Sequence, residues 1–230
     1  MKTYVVIGGS SGIGEALVHQ LASTHKVIAT YHKHDQQSFN QVQYIPYDVT
    51  SGIALNIDAE QIDGLVYCPG SINLRPFNRL KEDDFIKDYQ LNVIGAVKVI
   101  QQLLPQLKKA DRASIVLFST VAVQTGMNFH SLVASSKGAI EGLTRALAAE
   151  LAPSIRVNCI APSLTDTPLA AALLSSEEKR EVSALRHPLK TIGHAQDLAR
   201  LAAFLVTDES RWMTGQILHA DGGMSSIRNL

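Results

Sequence analysis

The segment Tyr4–Ile7 runs directly into Gly8-Gly9-Ser10-Ser11-Gly12-Ile13-Gly14 and then into Glu15-Ala16-Leu17-Val18-His19-Gln20-Leu21. A β-branched run, a glycine-rich turn and an amphipathic helix in that order constrain the chain more than any other feature. Glycines let the backbone turn tightly and approach a ligand, while a helix N-terminus offers unpaired N–H groups and the positive end of its dipole. A pyrophosphate suits such a turn, so the first expectation is a dinucleotide site. Taken alone, the same glycines also suit a turn that only packs a helix on a strand.

Short β-branched runs alternate with longer helical patterns along the chain, which argues for βαβ units and a parallel sheet. The expected strands are Tyr4–Ile7, Lys26–Tyr31, Gln43–Ile45, Gly64–Tyr67, Ser114–Ser119, Arg156–Ile160 and Gln216–Ala220. Helices are expected to begin near Gly12, Lys81, Val133 and Ala195. The fold class is therefore α/β: a Rossmann-type, doubly wound, seven-stranded parallel sheet with helices on both faces, forming one domain over residues 1–230. The links from His32 to Gln43 and from Asp48 to Asp63 are short for parallel crossovers, so any helix in them is expected to be short.

Apolar residues make up 46% of the chain and charged residues 18%, a composition that can bury a large interior. Basic and acidic residues balance at 21 each, which gives no field to attract nucleic acid or an anionic membrane. Cys68 and Cys159 are too few for a disulfide framework and lack metal-ligand spacing, so no metal is expected. The stretch Met1–Ile7 has no signal-peptide h-region, and no apolar run reaches membrane-spanning length. A cytoplasmic location follows as an expectation.

The glycine spacing Gly-x-x-x-Gly-x-Gly resembles that of the short-chain dehydrogenase/reductase family, with Ile7 where the family has threonine. Further segments are similar to the same family in order: Asp48-Val49, Asn92 within Leu91–Gly95, Lys137, Arg156–Pro162, Thr167, Thr214-Gly215-Gln216 and Asp221-Gly222-Gly223. The resemblance implies that Gly8, Ser10, Ser11, Gly12, Ile13 and Gly14 hold the pyrophosphate side of a cofactor and that Asp48 and Val49 meet its adenine. It further implies cofactor contacts from Gly70, Lys137, Pro162, Thr165 and Thr167. Ser163 replaces the family's glycine after proline, and Tyr67-Cys68-Pro69-Gly70 stands in place of Asn-Asn-Ala-Gly.

A carboxylate at the end of the second strand would bond the adenosine ribose and repel a 2′-phosphate. Here the strand ends Thr30-Tyr31-His32-Lys33-His34, with Tyr31 at the acidic position and Lys33 placed to pair with phosphate as a point charge. NADP(H) is therefore favoured over NAD(H). The alternative is that Lys33 and His34 are simply a solvated loop.

In the family, a tyrosine four residues before the lysine supplies the proton and a serine polarises the carbonyl. Counting back four from Lys137 reaches Val133, and no tyrosine follows Tyr89. The family's serine position falls on Thr120, with Ser119 beside it, so Thr120, Ser119, Lys137 and Asn92 are the candidate catalytic residues. His130 and Tyr67 are alternative proton donors. Their bland readings are a surface histidine and a packing residue.

Three functions remain open: an NADP(H)-dependent oxidoreductase acting on a small carbonyl or alcohol, a non-catalytic dinucleotide-binding module, or a different reduction on the same scaffold. The segment Leu164–Arg186 is expected to form a helical lid that sets the substrate pocket. By resemblance, a homodimer or homotetramer is expected to form through the helices around Asp84–Leu107 and Val133–Ala152.

Overall fold

The computed structural model describes residues 1–32 and 36–227. Seven strands form one parallel sheet: β1 (Thr3–Ile7), β2 (Lys26–Tyr31), β3 (Val42–Pro46), β4 (Gly64–Tyr67), β5 (Ala113–Phe118), β6 (Ile155–Pro162) and, last, Ile217–Ala220. Between these lie α1 (Gly12–Leu21), α2 (Glu82–Tyr89), α3 (Gly95–Leu107), α4 (Ala122–Thr125), α5 (Ser131–Leu151), α6 (Glu177–Leu185) and α7 (Ala195–Val206). Two short parallel pieces, β7 (Thr165–Asp166) and β8 (Gly193–His194), make a separate ladder beside the sheet, so Ile217–Ala220 is β9. The sheet order is β3-β2-β1-β4-β5-β6-β9. The chain winds outward from β1 to β3 and then returns to place β4 beside β1, which opens a crevice at their carboxyl ends.

Alternation along the strands sorts the core onto two faces. Tyr4 and Val6 of β1 point to the face covered by α1 and α7, where Leu17, Val18, Leu198 and Ala202 pack. Val5 and Ile7 point to the other face, against Val99, Ile100 and Leu103 of α3 and Ile140 of α5. Both faces are covered, so the strands read as continuous apolar runs, each such side chain contributing roughly 1.5–3 kcal/mol on burial.

The β2–β3 and β3–β4 links carry no helix among the described residues. Instead, Leu55 and Ile57 drop individually into the core, and Leu55 N–H donates to Gln102 Oε1 of α3 at 3.1 Å. The helix expected from Val133 starts two residues earlier, at Ser131. Between α2 and α3 the rod widens into a π-turn over Gln90–Ile94, which carries Asn92. No helix among the described residues is long and apolar enough to cross a membrane.

Candidate active site

The glycine turn is shaped by backbone, not side chains. Gly8 and Gly12 adopt positive φ (75° and 57°), a region that L side chains rarely enter. A methyl group on Gly14 would overlap the Gly8 carbonyl oxygen, so the first turn of α1 can close only on glycine. Gly8 N–H donates to Thr30 Oγ1 at 2.9 Å and Gly9 N–H to the Thr30 carbonyl at 2.9 Å, tying the turn to β2. Ser11 precedes α1 in extended backbone without a side-chain cap, which leaves the helix's leading N–H groups to an external acceptor. These residues fit a pyrophosphate.

At the carboxyl end of the second strand, Tyr31 closes β2 and His32 Nε2 lies 3.5 Å from Asp48 Oδ2. Asp48 also accepts from the Thr50 N–H and hydroxyl at 2.8 and 2.7 Å, an Asx-type turn that holds Val49 inward, where it is 7% exposed. Lys33 and His34 lie outside the described residues.

The crevice continues into a cavity of about 580 Å³ lined by Ile13 and Thr167 at one end and by Thr120, Val133 and Lys137 within. Lys137 is 7% exposed, and burial pulls its ammonium down to about 8. Gly70 lines the cavity with Lys137, and a methyl group on it would stand 3.5 Å from Lys137 Nζ and 3.6 Å from Asn92 Oδ1, so the glycine lies directly against both polar atoms. Asn92 is fully buried; its Nδ2 donates to the Asp88 carbonyl at 2.9 Å, and among the described residues its Oδ1 has no partner. A buried acceptor left open in this way marks a place for a water or a ligand hydroxyl. Ser71 donates to the buried Asp88 carboxylate just beside it.

The two expected hydroxyls differ. Ser119 donates to Glu141 Oε1 at 2.8 Å and is thereby committed to α5. Thr120 Oγ1 accepts from Ala122 N–H at 3.3 Å, leaving its own proton for the cavity it lines. Val133 stands one helical turn before Lys137 on the same wall. His130 precedes α5, with Nδ1 2.7 Å from the Asn128 carbonyl, the orienting partner that sequence could not supply. Tyr67 is 2% exposed and donates to the Leu91 carbonyl at 2.6 Å, and burial pushes its phenol far above the ordinary range. It is a packing residue.

Pro162 is the last residue of β6, Thr165 lies in β7, and Thr167 follows it. The Thr165 hydroxyl donates to the Ser163 carbonyl at 3.0 Å, and Thr167 Cβ would lie 3.3 Å from a methyl on Gly12, so this segment folds over the glycine turn. The expected lid contains α6, tied down by Arg180 Nη1 to Asp166 Oδ2 at 2.7 Å. Sequence reasoning missed His187, which lines the cavity behind α6. A lone histidine before proline carries no signal of its own; only the serine at 163 hinted that something polar stood opposite.

A family model described as enoyl-(acyl carrier protein) reductase matches residues 8–225. A tropinone reductase homolog of Arabidopsis thaliana is 31% identical over 240 residues, 96% of this chain and 92% of the relative. The 3-oxoacyl-[acyl-carrier-protein] reductase FabG of Thermotoga maritima is 30% identical over 241 residues, 97% of each chain. Among solved structures, ligand-free aldohexose dehydrogenase from Thermoplasma acidophilum superposes with a TM-score of 0.88 at 27% identity, covering 100% of this chain and 96% of that one.

Proposed function

The chain belongs to the short-chain dehydrogenase/reductase family of oxidoreductases, and from that membership we propose that it moves hydride between NADP(H) and a small carbonyl or alcohol, without the family's tyrosine. The observation that carries this reading is that Ile13 of the glycine turn lines the same cavity as Thr120 and Lys137. When bound, the nicotinamide supplies or accepts the hydride. Gly8, Ser10, Ser11, Gly12, Ile13 and Gly14 would bind the pyrophosphate through backbone N–H groups, and the Lys137 ammonium would donate to ribose hydroxyls. The Thr120 hydroxyl would donate a hydrogen bond to the substrate oxygen, without giving up its proton, and so orient the carbonyl. Apolar walls that include Val121, Val133 and Leu164 would exclude water from the reacting carbon.

Preference for NADP(H) is supported by the absence of a carboxylate at Tyr31 and by the basic run His32-Lys33-His34. Val133 in the tyrosine position favours the second reading, a dinucleotide-binding module without turnover. Titration with NADPH and NADH, followed by nicotinamide fluorescence, separates the two when an aromatic 1,2-diketone is then added. The expected result is tighter binding of NADPH and its consumption by the diketone. Tight binding without consumption would establish the module, and no binding would overturn both readings.

A further inference from the structure

We propose that Ser163 and His187 form an acid–base pair that exchanges the substrate proton in this cavity, an inference that rests on the oxidoreductase reading above. Both residues line the cavity. Ser163 follows Pro162 at the end of β6 and is half-buried; it stands where the family carries glycine. His187, in the turn after α6, is 2% exposed. Its Nδ1 lies 2.9 Å from the Ser183 carbonyl oxygen and its Nε2 lies 2.8 Å from Ser163 Oγ.

The tautomer follows from the partners. A carbonyl oxygen can only accept, so the neutral ring carries its proton on Nδ1 and presents the Nε2 lone pair to the Ser163 hydroxyl. A hydroxyl facing a histidine whose other nitrogen is held by a third group is the arrangement that makes a serine oxygen a competent proton exchanger. The ring is also held sterically: Gly222 at φ 62° approaches so closely that a methyl there would lie 3.3 Å from His187 Cβ. The Ser163 backbone is fixed by Thr165 and by its own N–H to the Ala220 carbonyl at 3.4 Å. The pair is built on rigid backbone at the position where this chain departs from its family.

In alcohol oxidation, the substrate O–H passes its proton to Ser163 Oγ while Ser163 passes its own to His187 Nε2. The carbinol C–H bond breaks with its electron pair, which leaves as hydride to the oxidised nicotinamide, and the C=O bond forms. In the reverse direction, the ring would first take up a solvent proton; hydride from the reduced nicotinamide would add to the carbonyl carbon as the C=O π pair moves onto oxygen, that oxygen would take the Ser163 proton, and the imidazolium would return one to Ser163 and so become neutral again. Val133 has no proton to exchange, so this pair supplies what that wall lacks.

The test uses the full chain with Ser163→Gly, which installs the family's residue, Ser163→Thr, which keeps a hydroxyl, and His187→Gln. First, ¹⁵N spectra of histidine-labelled apo protein should show His187 protonated at Nδ1, with an Nε2 resonance that moves in Ser163→Gly. Protonation at Nε2 in the unmodified protein overturns the pair without reference to any activity. Second, with NADPH and an aromatic 1,2-diketone, Ser163→Gly and His187→Gln should each lose about 10²-fold or more in kcat. NADPH affinity should stay within about twofold, and Ser163→Thr should recover most of the loss. A structural role for the pair would instead move KM or stability together with kcat, and would not follow the hydroxyl. Variants that turn over like the unmodified protein overturn the pair alone, whereas an unmodified protein that binds no NADPH overturns the oxidoreductase reading and the pair with it.

Discussion

Lys137 shows how a single residue couples stability to function. Burial lowers its ammonium from 10.5 to about 8, so the native state disfavours the charged form that the cofactor ribose would need. Between about pH 8 and the ordinary lysine value the unfolded chain binds more protons than the native one, so this residue makes stability rise with pH across that window. Below it, the full cost is present, on the order of 3 kcal/mol. Lys137→Met should therefore stabilise the apo protein at neutral pH by about 1–2 kcal/mol, less than the whole because Asp88 loses its neighbouring cation. Urea unfolding at pH 7 and pH 10 checks this, and NADPH binding should vanish in the same variant. A Met variant less stable than the parent at pH 7 would show that the charge is compensated in the native state. Val133, 8% exposed on the same wall, invites the opposite change. Val133→Tyr puts a phenol one helical turn from an ammonium, and reduction of simple ketones should rise by roughly 10²–10⁴-fold, the usual worth of a positioned general acid. No increase in NADPH consumption would show that the wall cannot seat the ring.

Elements were legible where periodicity and turn chemistry agreed. Lys26–Tyr31 and Gly64–Tyr67 match the expected bounds because each is an apolar run closed by polar or glycine-rich chain, and α1 begins at Gly12 because the glycine turn dictates it. What escaped depends on tertiary partners. The two-residue ladder β7–β8 has no periodicity to read, and the helix-free β3–β4 link is held by Leu55 and Ile57 one side chain at a time. The glycine turn and the place of Lys137 on α5 could be read from sequence; the full burial of Asn92 away from the cavity lining, the commitment of Ser119 to Glu141, the sequestration of Tyr67 and the meeting of Ser163 with His187 could not, since each needs residues brought together from distant segments. Arg156, the first residue of a run that resembles the family, is a structural residue. It is 8% exposed, with Nη1 2.8 Å from Ser210 Oγ and 3.1 Å from the Leu205 carbonyl, and Nη2 2.8 Å from the Thr207 carbonyl. Asn158 beside it donates to the Met213 carbonyl at 2.9 Å and accepts from Gln216 N–H at 3.1 Å. Together they fasten the chain between α7 and β9 to the sheet. Arg156→Met strands several buried acceptors, so unfolding should be easier by about 3–5 kcal/mol. NADPH affinity of the folded fraction should be unchanged, because Arg156 lies outside the cavity lining. A variant that keeps its denaturation midpoint would refute this assignment.

At the scale of the whole molecule, α5 carries an outward stripe of small residues. Ser135, Gly142, Ala146 and Ala149 are all exposed, and they recur at helical spacing along one side of the helix. A methyl group on Gly142 would meet nothing within 4 Å, yet glycine inside a helix costs roughly 0.5–1 kcal/mol relative to alanine. A chain that keeps such a residue on an open face gives up stability unless another surface comes close enough to use the missing side chain. The homodimer or homotetramer expected from the family resemblance would supply that surface, with α5 of one protomer against its counterpart in a twofold pair. The cavity lies at the N-terminal end of the same helix, where Val133 and Lys137 sit, so packing along α5 would also steady the reactive wall. Light scattering should then give the protein a mass at a multiple of 24.9 kDa. Gly142→Arg, which plants a long charged side chain in the middle of the stripe, should return it to the single-chain value without unfolding it, since the position is open in the isolated protomer. Gly142→Ala should separate close packing from mere contact, because a methyl that a partner cannot accommodate weakens association while improving helix propensity. An unmodified protein that scatters as a single chain at micromolar concentration would leave Gly142 as an uncompensated helix defect and sink the assembly.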